Sequence, residues 1–231
     1  MELKVFKRLC VLCCALMLCG LGADAQGFFT DSGDAVLEYV RTTAQDGKFK
    51  WRHTMRVTDV KETESSVRYT TSSVFSKQNG KPLYRDSVIE TTYVDRRTGN
   101  LSLDLGAAMA SYIKARTGIN ATSSGLLSCL PADIEPGDTL EPVRATVKVG
   151  PLTYTLKVSG RKVLRRETVT VPAGTFECVV VSEEKQENGP GHNRGVTNIT
   201  WYAKGVGYVR HDTYVKGKLD TSEVLTVMSP L

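Results

Sequence analysis

The sequence predicts a mainly-β fold of antiparallel strands, and three observations carry that expectation. Apolar and polar residues alternate with period two over long stretches. Turn signals built on Gly, Asn and Pro separate those stretches. Helical spacing is confined to two short segments.

The first of those segments follows Asp31-Ser32, residue types that cap helix N-termini. Val36, Leu37, Tyr39 and Val40 follow at helical spacing, so a short helix is expected over Asp34–Thr43. The period then becomes two. Phe49, Trp51, His53, Met55 and Val57 alternate with Lys50, Arg52, Thr54, Arg56 and Thr58, which describes a strand with one buried and one wet face. Val67 to Ser76 alternates again, Asn79-Gly80 signals a turn, and a further strand is expected from about Leu83 to Val94. Leu101, Leu103 and Leu105 share one face.

The middle of the chain differs. Ala107–Lys114 has helical composition. Residues 118–142 form a long connection with Pro131, Pro136 and Pro142, read as a crossover or a lid. Strand patterns resume at Val143–Val149, Thr153–Val158, Val163–Val171, Phe176–Ser182, Thr197–Ala203, Tyr208–Val215 and Ser222–Val227. Val179-Val180-Val181 is continuously apolar, as in a central strand covered on both faces. Glu187 to Gly195 is polar and Gly-rich and reads as a mobile hairpin loop.

The N-terminus carries an export signal. Lys4, Lys7 and Arg8 form a basic region, Leu9 to Leu21 is apolar and uncharged, and Ala23-Asp24-Ala25 is a cleavage site. Residues 1–25 therefore read as a signal peptide and residues 26–231 as a single mainly-β domain without a linker. The expected place is the periplasm or cell envelope. Two alternatives are a retained signal anchor and lipidation on Cys19, although Leu18 is bulky where a lipidation site wants a small residue.

Removing residues 1–25 leaves two of the six cysteines, Cys129 and Cys178. In an oxidising compartment they are expected to form one disulfide closing a loop of roughly 50 residues; the alternative is two buried free thiols. Neither has a CxxC partner, which argues against redox catalysis and structural zinc. The net charge of +5 becomes +4 once the three basic and two acidic residues of the signal are gone. The densest basic run, Arg161-Lys162 with Arg165-Arg166, is expected on a solvated hairpin face. No aromatic residue is interleaved with it, and nucleic acid is not an expected partner.

No catalytic constellation is legible. There is no G-x-S-x-G context, and His53, His192 and His211 lack metal-ligand spacing. His53 lies on the apolar face of its strand and is expected to be a neutral, hydrogen-bonded core residue. His192 is expected to be solvated. His211-Asp212 could orient an imidazole but has no third member. The expectation is a protein that is not an enzyme and carries no cofactor or metal. Of the adjacent Trp201 and Tyr202, one is expected in the core and the other partly exposed.

Three blocks carry a family resemblance. They are Val171 to Cys178 (VPAGTFEC), Trp201 to Arg210 (WYAKGVGYVR), and Leu130-Pro131 with Ile134 to Leu140 (IEPGDTL). Together they resemble exported proteins of unknown function, frequent in the Bacteroidota, with a YmcC-like fold. The resemblance implies an antiparallel two-layer sandwich or half-open barrel, with the one or two short helices read above. It carries no catalytic motif. A curved sheet of that kind suits a hydrophobic or glycan ligand in its concavity; the alternative is a structural or assembly module working through an envelope protein partner.

Overall fold

The computed structural model describes residues 26–30 and 32–229. Residues 1–25, expected to be a signal peptide, and Asp31 lie outside the described residues. Thirteen strands form one antiparallel sheet: β1 Val36–Thr43, β2 Phe49–Glu62, β3 Ser66–Ser76, β4 Val88–Asp95, β5 Leu101–Leu103, β6 Thr122–Gly125, β7 Ser128–Leu130, β8 Val143–Val149, β9 Leu152–Val171, β10 Gly174–Gly189, β11 His192–Ala203, β12 Gly207–Val215 and β13 Lys218–Ser229. A helix, α1, spans Leu105–Thr117. The spatial order is β6-β8-β9-β10-β11-β12-β13-β1-β2-β3-β4-β5-β7. Apart from the step from β13 to β1, neighbours in the long middle run are hairpins, as the turn signals require.

The sheet curls without closing. Bulges sit between Glu38 and Tyr39, Trp201 and Tyr202, and Ser182 and Glu184, and each bends its strand. Gly160, at φ +60°, supplies a backbone conformation that other residues resist, in β9 opposite the last of these bulges. The curl brings β9 near β7, ten places away in the order: the Arg161 guanidinium donates from Nη2 to the Cys129 carbonyl at 3.2 Å. The connection 118–142 is the crossover, since its two short strands are the two edges of the sheet. It runs from β6 at one edge to β7 at the other and returns to β8. On the return, the Gly137 N–H donates to Val163 O and the Leu140 N–H to Arg161 O.

Helix α1 packs against β6 and β8 near one edge and against β4 near the other. Asp104 caps it by accepting from the Ala107 N–H at 2.8 Å, and Gly118 ends it at φ +75° with its N–H on Lys114 O. Leu105 and Met109 pack on Val143, Ala145, Leu156 and Val158, and Ile113 on Val147. No helix among the described residues is long and apolar enough to cross a membrane.

Several expectations need correction. Asp34–Thr43 is not a helix, because Val36–Thr43 pairs with β13 on one side and β2 on the other. Leu37 and Tyr39 alternate inward at 0% exposure, and two ladders of backbone hydrogen bonds outweigh a weak helical spacing. Glu187–Gly195 is not a loop either. β10 and β11 remain paired to Gly189↔His192 around a two-residue turn, Pro190-Gly191, with Gly191 at φ +67°. Thr153–Val158 and Val163–Val171 are one continuous strand, β9.

The Cys129–Cys178 disulfide does not form; both thiols are free. Cys178 is 3% exposed in the core cluster with Val180, Trp201 and Ala203, whereas Cys129 is exposed on the edge strand β7. Thiol labelling of the native protein should therefore modify Cys129 rapidly. Cys178 should react only on unfolding, because burial pushes its thiol up to about 12. Two protected sulfurs in the native protein would contradict this arrangement.

Candidate functional site

The register decides which side chains share the concave face. Directly paired residues in an antiparallel ladder lie on the same face. Val179, Val181, Glu183, Lys185 and Glu187 of β10 therefore stand beside Tyr202, Thr200, Asn198, Val196 and Arg194 of β11. His211 and Thr213 of β12, Glu223 and Thr221 of β13, and Arg41 of β1 continue the same face. On β2 it carries Trp51, His53, Met55 and Val57.

Read along the strands, this face grades from apolar to charged. At one end Phe28 joins Leu130, Ile134, Val163, Val179 and Val181 in a buried cluster. Phe28 and Phe29 plug this end, with Phe29 against Tyr69 at 5.0 Å. Gly27 passes so near β4–β5 that a Cβ there would stand 2.3 Å from the Gly99 carbonyl oxygen. Above the plug lies a cavity of about 190 Å³, lined mainly by aromatic and aliphatic side chains including Met55, Leu101, Leu103 and Tyr202. Tyr202, Tyr208 and Glu183 also line the next recess, about 420 Å³, where Arg41, Trp51, His53, His211 and Glu223 appear. A third recess of about 150 Å³ sits at the charged end, among Arg41, Lys185, Glu187, Arg194 and His211.

A polar network crosses the middle. Arg41 Nη1 donates to Glu223 Oε2 at 3.0 Å, and its Nε donates to Thr221 Oγ1 at 2.9 Å. His53 Nδ1 faces Glu223 Oε1 at 3.2 Å and the Tyr208 hydroxyl at 3.1 Å. Because a carboxylate only accepts, Nδ1 carries the proton toward Glu223, and Nε2 faces Ser73 Oγ at 2.9 Å. Burial alone would raise the Glu223 carboxyl, but the His53 hydrogen bond and the charges of His53 and Arg41 outweigh it and hold it below the usual range. Burial raises the Tyr39 and Tyr208 phenols well above 10, and the nearby Glu223 adds to that. Burial also raises the Glu90 carboxyl, which lines the apolar cavity.

Ser73, His53 and Glu223 have the hydrogen-bond order of a hydrolytic triad, yet Ser73 is 1% exposed and lines none of these recesses. The imidazole is stacked between Tyr39 at 5.3 Å and Phe75 at 4.5 Å. His53 is thus the hydrogen-bonded core residue its strand position predicts. No group of three His, Cys, Asp or Glu among the described residues is placed to hold a metal.

The other sequence candidates fall elsewhere. His211 and Asp212 point to opposite faces and cannot act as a pair. His211 Nδ1 meets Thr200 Oγ1 at 2.9 Å on the concave side. Asp212 is held on the convex side by Arg210 at 2.7 and 3.0 Å and by Ser222 at 2.6 Å. His192 pairs with Glu187 at 2.9 Å. Trp201 is core, its indole N–H on Glu167 at 2.5 Å, while Tyr202 is half-buried at the cavity, as alternation predicts. The basic run is no single patch. Arg165 and Arg166 pair with Glu167 and Glu135 at the surface, whereas Arg161 is 6% exposed inside the concavity, contrary to the solvated face expected for it.

Sequence reading missed Arg41, Trp51, Lys185, Arg194 and Glu223 as a group. The legible signal was parity. Arg41 shares a strand face with Tyr39, and Glu223 shares one with Leu225, which places a charge on an apolar face.

Two solved structures share the architecture. One is described as an exported protein with a YmcC-like fold from Bacteroides fragilis, 24% identical, with a TM-score of 0.71 over 88% of this chain and 99% of that one. The other is described as a lipoprotein from Parabacteroides distasonis, 18% identical, with a TM-score of 0.71 over 90% of this chain and all of that one. At these identities the likeness establishes the fold, an open antiparallel sheet of the YmcC-like kind. A search of curated proteins finds no match. The DUF3108-like family model matches residues 35–225, which include both Arg41 and Glu223, and the chain belongs to that family.

Proposed function

We propose that this is a non-catalytic binding protein of the cell envelope that holds an amphipathic ligand in the concavity of its sheet. The apolar part enters the 190 Å³ cavity and the polar part rests in the recesses above it. The observation that carries this reading is the polarity gradient along the concave strands, with Tyr202, Tyr208 and Glu183 shared by the two compartments. Export is supported by the basic, apolar and cleavage segments of residues 1–25.

Size limits the ligand. An apolar cavity of about 150 Å³ accepts benzene, so this one suits a ring or a short alkyl segment rather than a whole lipid. Where it is empty, its apolar lining forgoes packing contacts. Filling it should therefore stabilise the fold while blocking the ligand. Thr71 is 2% exposed and lines the cavity. Thr71→Leu is expected to raise stability by about 1 kcal/mol. It should also weaken binding of hexyl glucoside, followed by isothermal titration, at least tenfold. Unchanged affinity in a folded Thr71→Leu variant would reject the cavity as the ligand site.

A further inference from the structure

The charged end of the concavity has donors left over. Arg41 is matched by Glu223 at 3.0 Å, and Lys185 by Glu187 at 2.7 Å. Glu187 also takes His192. Arg194 is on the same face and in the same recess, and its side chain has no ion pair or hydrogen bond among the described residues. Trp51 lines that recess too, under the Arg41 guanidinium at 5.0 Å, and its buried indole N–H has no partner. A buried N–H without an acceptor is costly, and this one belongs to the same recess wall as Arg194. Asn198 and Thr213 add neutral hydrogen-bonding groups to the wall. The lining holds three cations against one carboxylate, and the His211 imidazole between them is depressed by burial and by Arg41.

We infer that this recess is an oxyanion subsite, which takes a phosphate or carboxylate group at the polar end of the ligand. Arg194 supplies the charge, and the unsatisfied Trp51 indole N–H at the wall is the second donor. Arg41 and Lys185 add positive potential without giving up their own partners. Arg194 is exposed at the mouth of the recess, and a guanidinium–oxyanion contact there is charge-assisted and weakened by salt. The inference rests on the amphiphile-binding reading above and deepens it by naming the polar group. An oxyanion could come from an amphiphile or from a free ion, and the probes below separate these sources.

The test titrates the protein with hexyl phosphate, hexyl glucoside, hexyltrimethylammonium and inorganic phosphate. It compares the unmodified chain with Arg194→Ala and Thr71→Leu. Hexyl phosphate should bind about tenfold more tightly than hexyl glucoside, and hexyltrimethylammonium most weakly. Arg194→Ala should remove that tenfold advantage by weakening hexyl phosphate far more than hexyl glucoside, whereas Thr71→Leu should weaken both. Equal affinity for hexyl phosphate and hexyl glucoside, or equal losses in Arg194→Ala, overturns the oxyanion subsite while leaving the amphiphile reading standing. Inorganic phosphate binding as tightly as hexyl phosphate, with neither affected by Thr71→Leu, supports the subsite and overturns the amphiphile reading. No binding of any probe overturns both.

Discussion

Replacing Glu223 with alanine is expected to destabilise the protein by about 3–5 kcal/mol, measured by urea denaturation at neutral pH. The carboxylate is 5% exposed, and it answers two buried donors at once, the Arg41 guanidinium at 3.0 Å and His53 Nδ1 at 3.2 Å. Its removal strands a cation on β1 whose remaining partners among the described residues are the neutral hydroxyls of Thr221 and Thr213 and the Trp51 ring. A charge left buried without its counter-ion is what makes such substitutions severe. The Coulomb attraction itself is largely cancelled by the desolvation of both ions. The same reasoning predicts that Arg41→Met with Glu223→Leu recovers most of the loss, because two apolar side chains of similar size remove both charges together. At the other extreme, Asp46→Ala breaks an exposed pair with Lys48 and should leave the urea midpoint essentially unchanged. A Glu223→Ala variant within 1 kcal/mol of the unmodified protein would mean that water reaches Arg41 freely, and the recesses would then be wider than described.

How much of this was legible in the sequence depends on where hydropathy carries information. β2, β3 and β8 alternate between a wet and a buried face, so period two announces them and fixes which side chains turn inward. β10 and β11 lose that signal beyond Glu183, because there both faces meet water. The strands nevertheless continue, held by cross-strand pairing down to Gly189↔His192. β1 was ambiguous because Val36, Leu37, Tyr39 and Val40 satisfy a helical spacing as well as a strand. The choice was made by β13, nearly two hundred residues away, which no local pattern displays. The candidate site fails to show for a related reason. Arg41 and Glu223 are 182 residues apart, and only the strand order β13-β1-β2 makes them neighbours. Parity could flag each as a charge on an apolar face but could not name its partner. The cysteines show the limit of counting, since an even pair says nothing about the distance between a core strand and an edge strand.

Acidification from pH 7 to pH 5 is expected to cost about 1–2 kcal/mol of stability through His211 alone. Burial, with the charge of Arg41 added, pushes its imidazole down to about 4 in the folded protein. In the unfolded chain the same ring titrates near 6.5. Between those values the unfolded state binds a proton that the folded state refuses, so stability rises with pH across this window and falls on acidification. The contribution is complete above about pH 6.5 and disappears as pH drops toward 4. The full interval would correspond to about 3 kcal/mol, and the recess beside the ring admits water that screens part of it. Glu223 and Glu167 act lower. Their folded carboxyls lie below the ordinary range, so their stabilisation is present above about pH 4.3 and is lost only beneath it. Glu90 has the opposite sign: its carboxyl is raised by burial, so its cost at neutral pH is recovered in acid. Comparing urea midpoints of the unmodified protein and His211→Gln at pH 7 and pH 5 isolates the imidazole. The difference between the two proteins should shrink by about 1–2 kcal/mol at the lower pH. A constant difference would show that His211 takes up its proton in the folded state as readily as in the unfolded one, with the charged recess too open to hold it neutral.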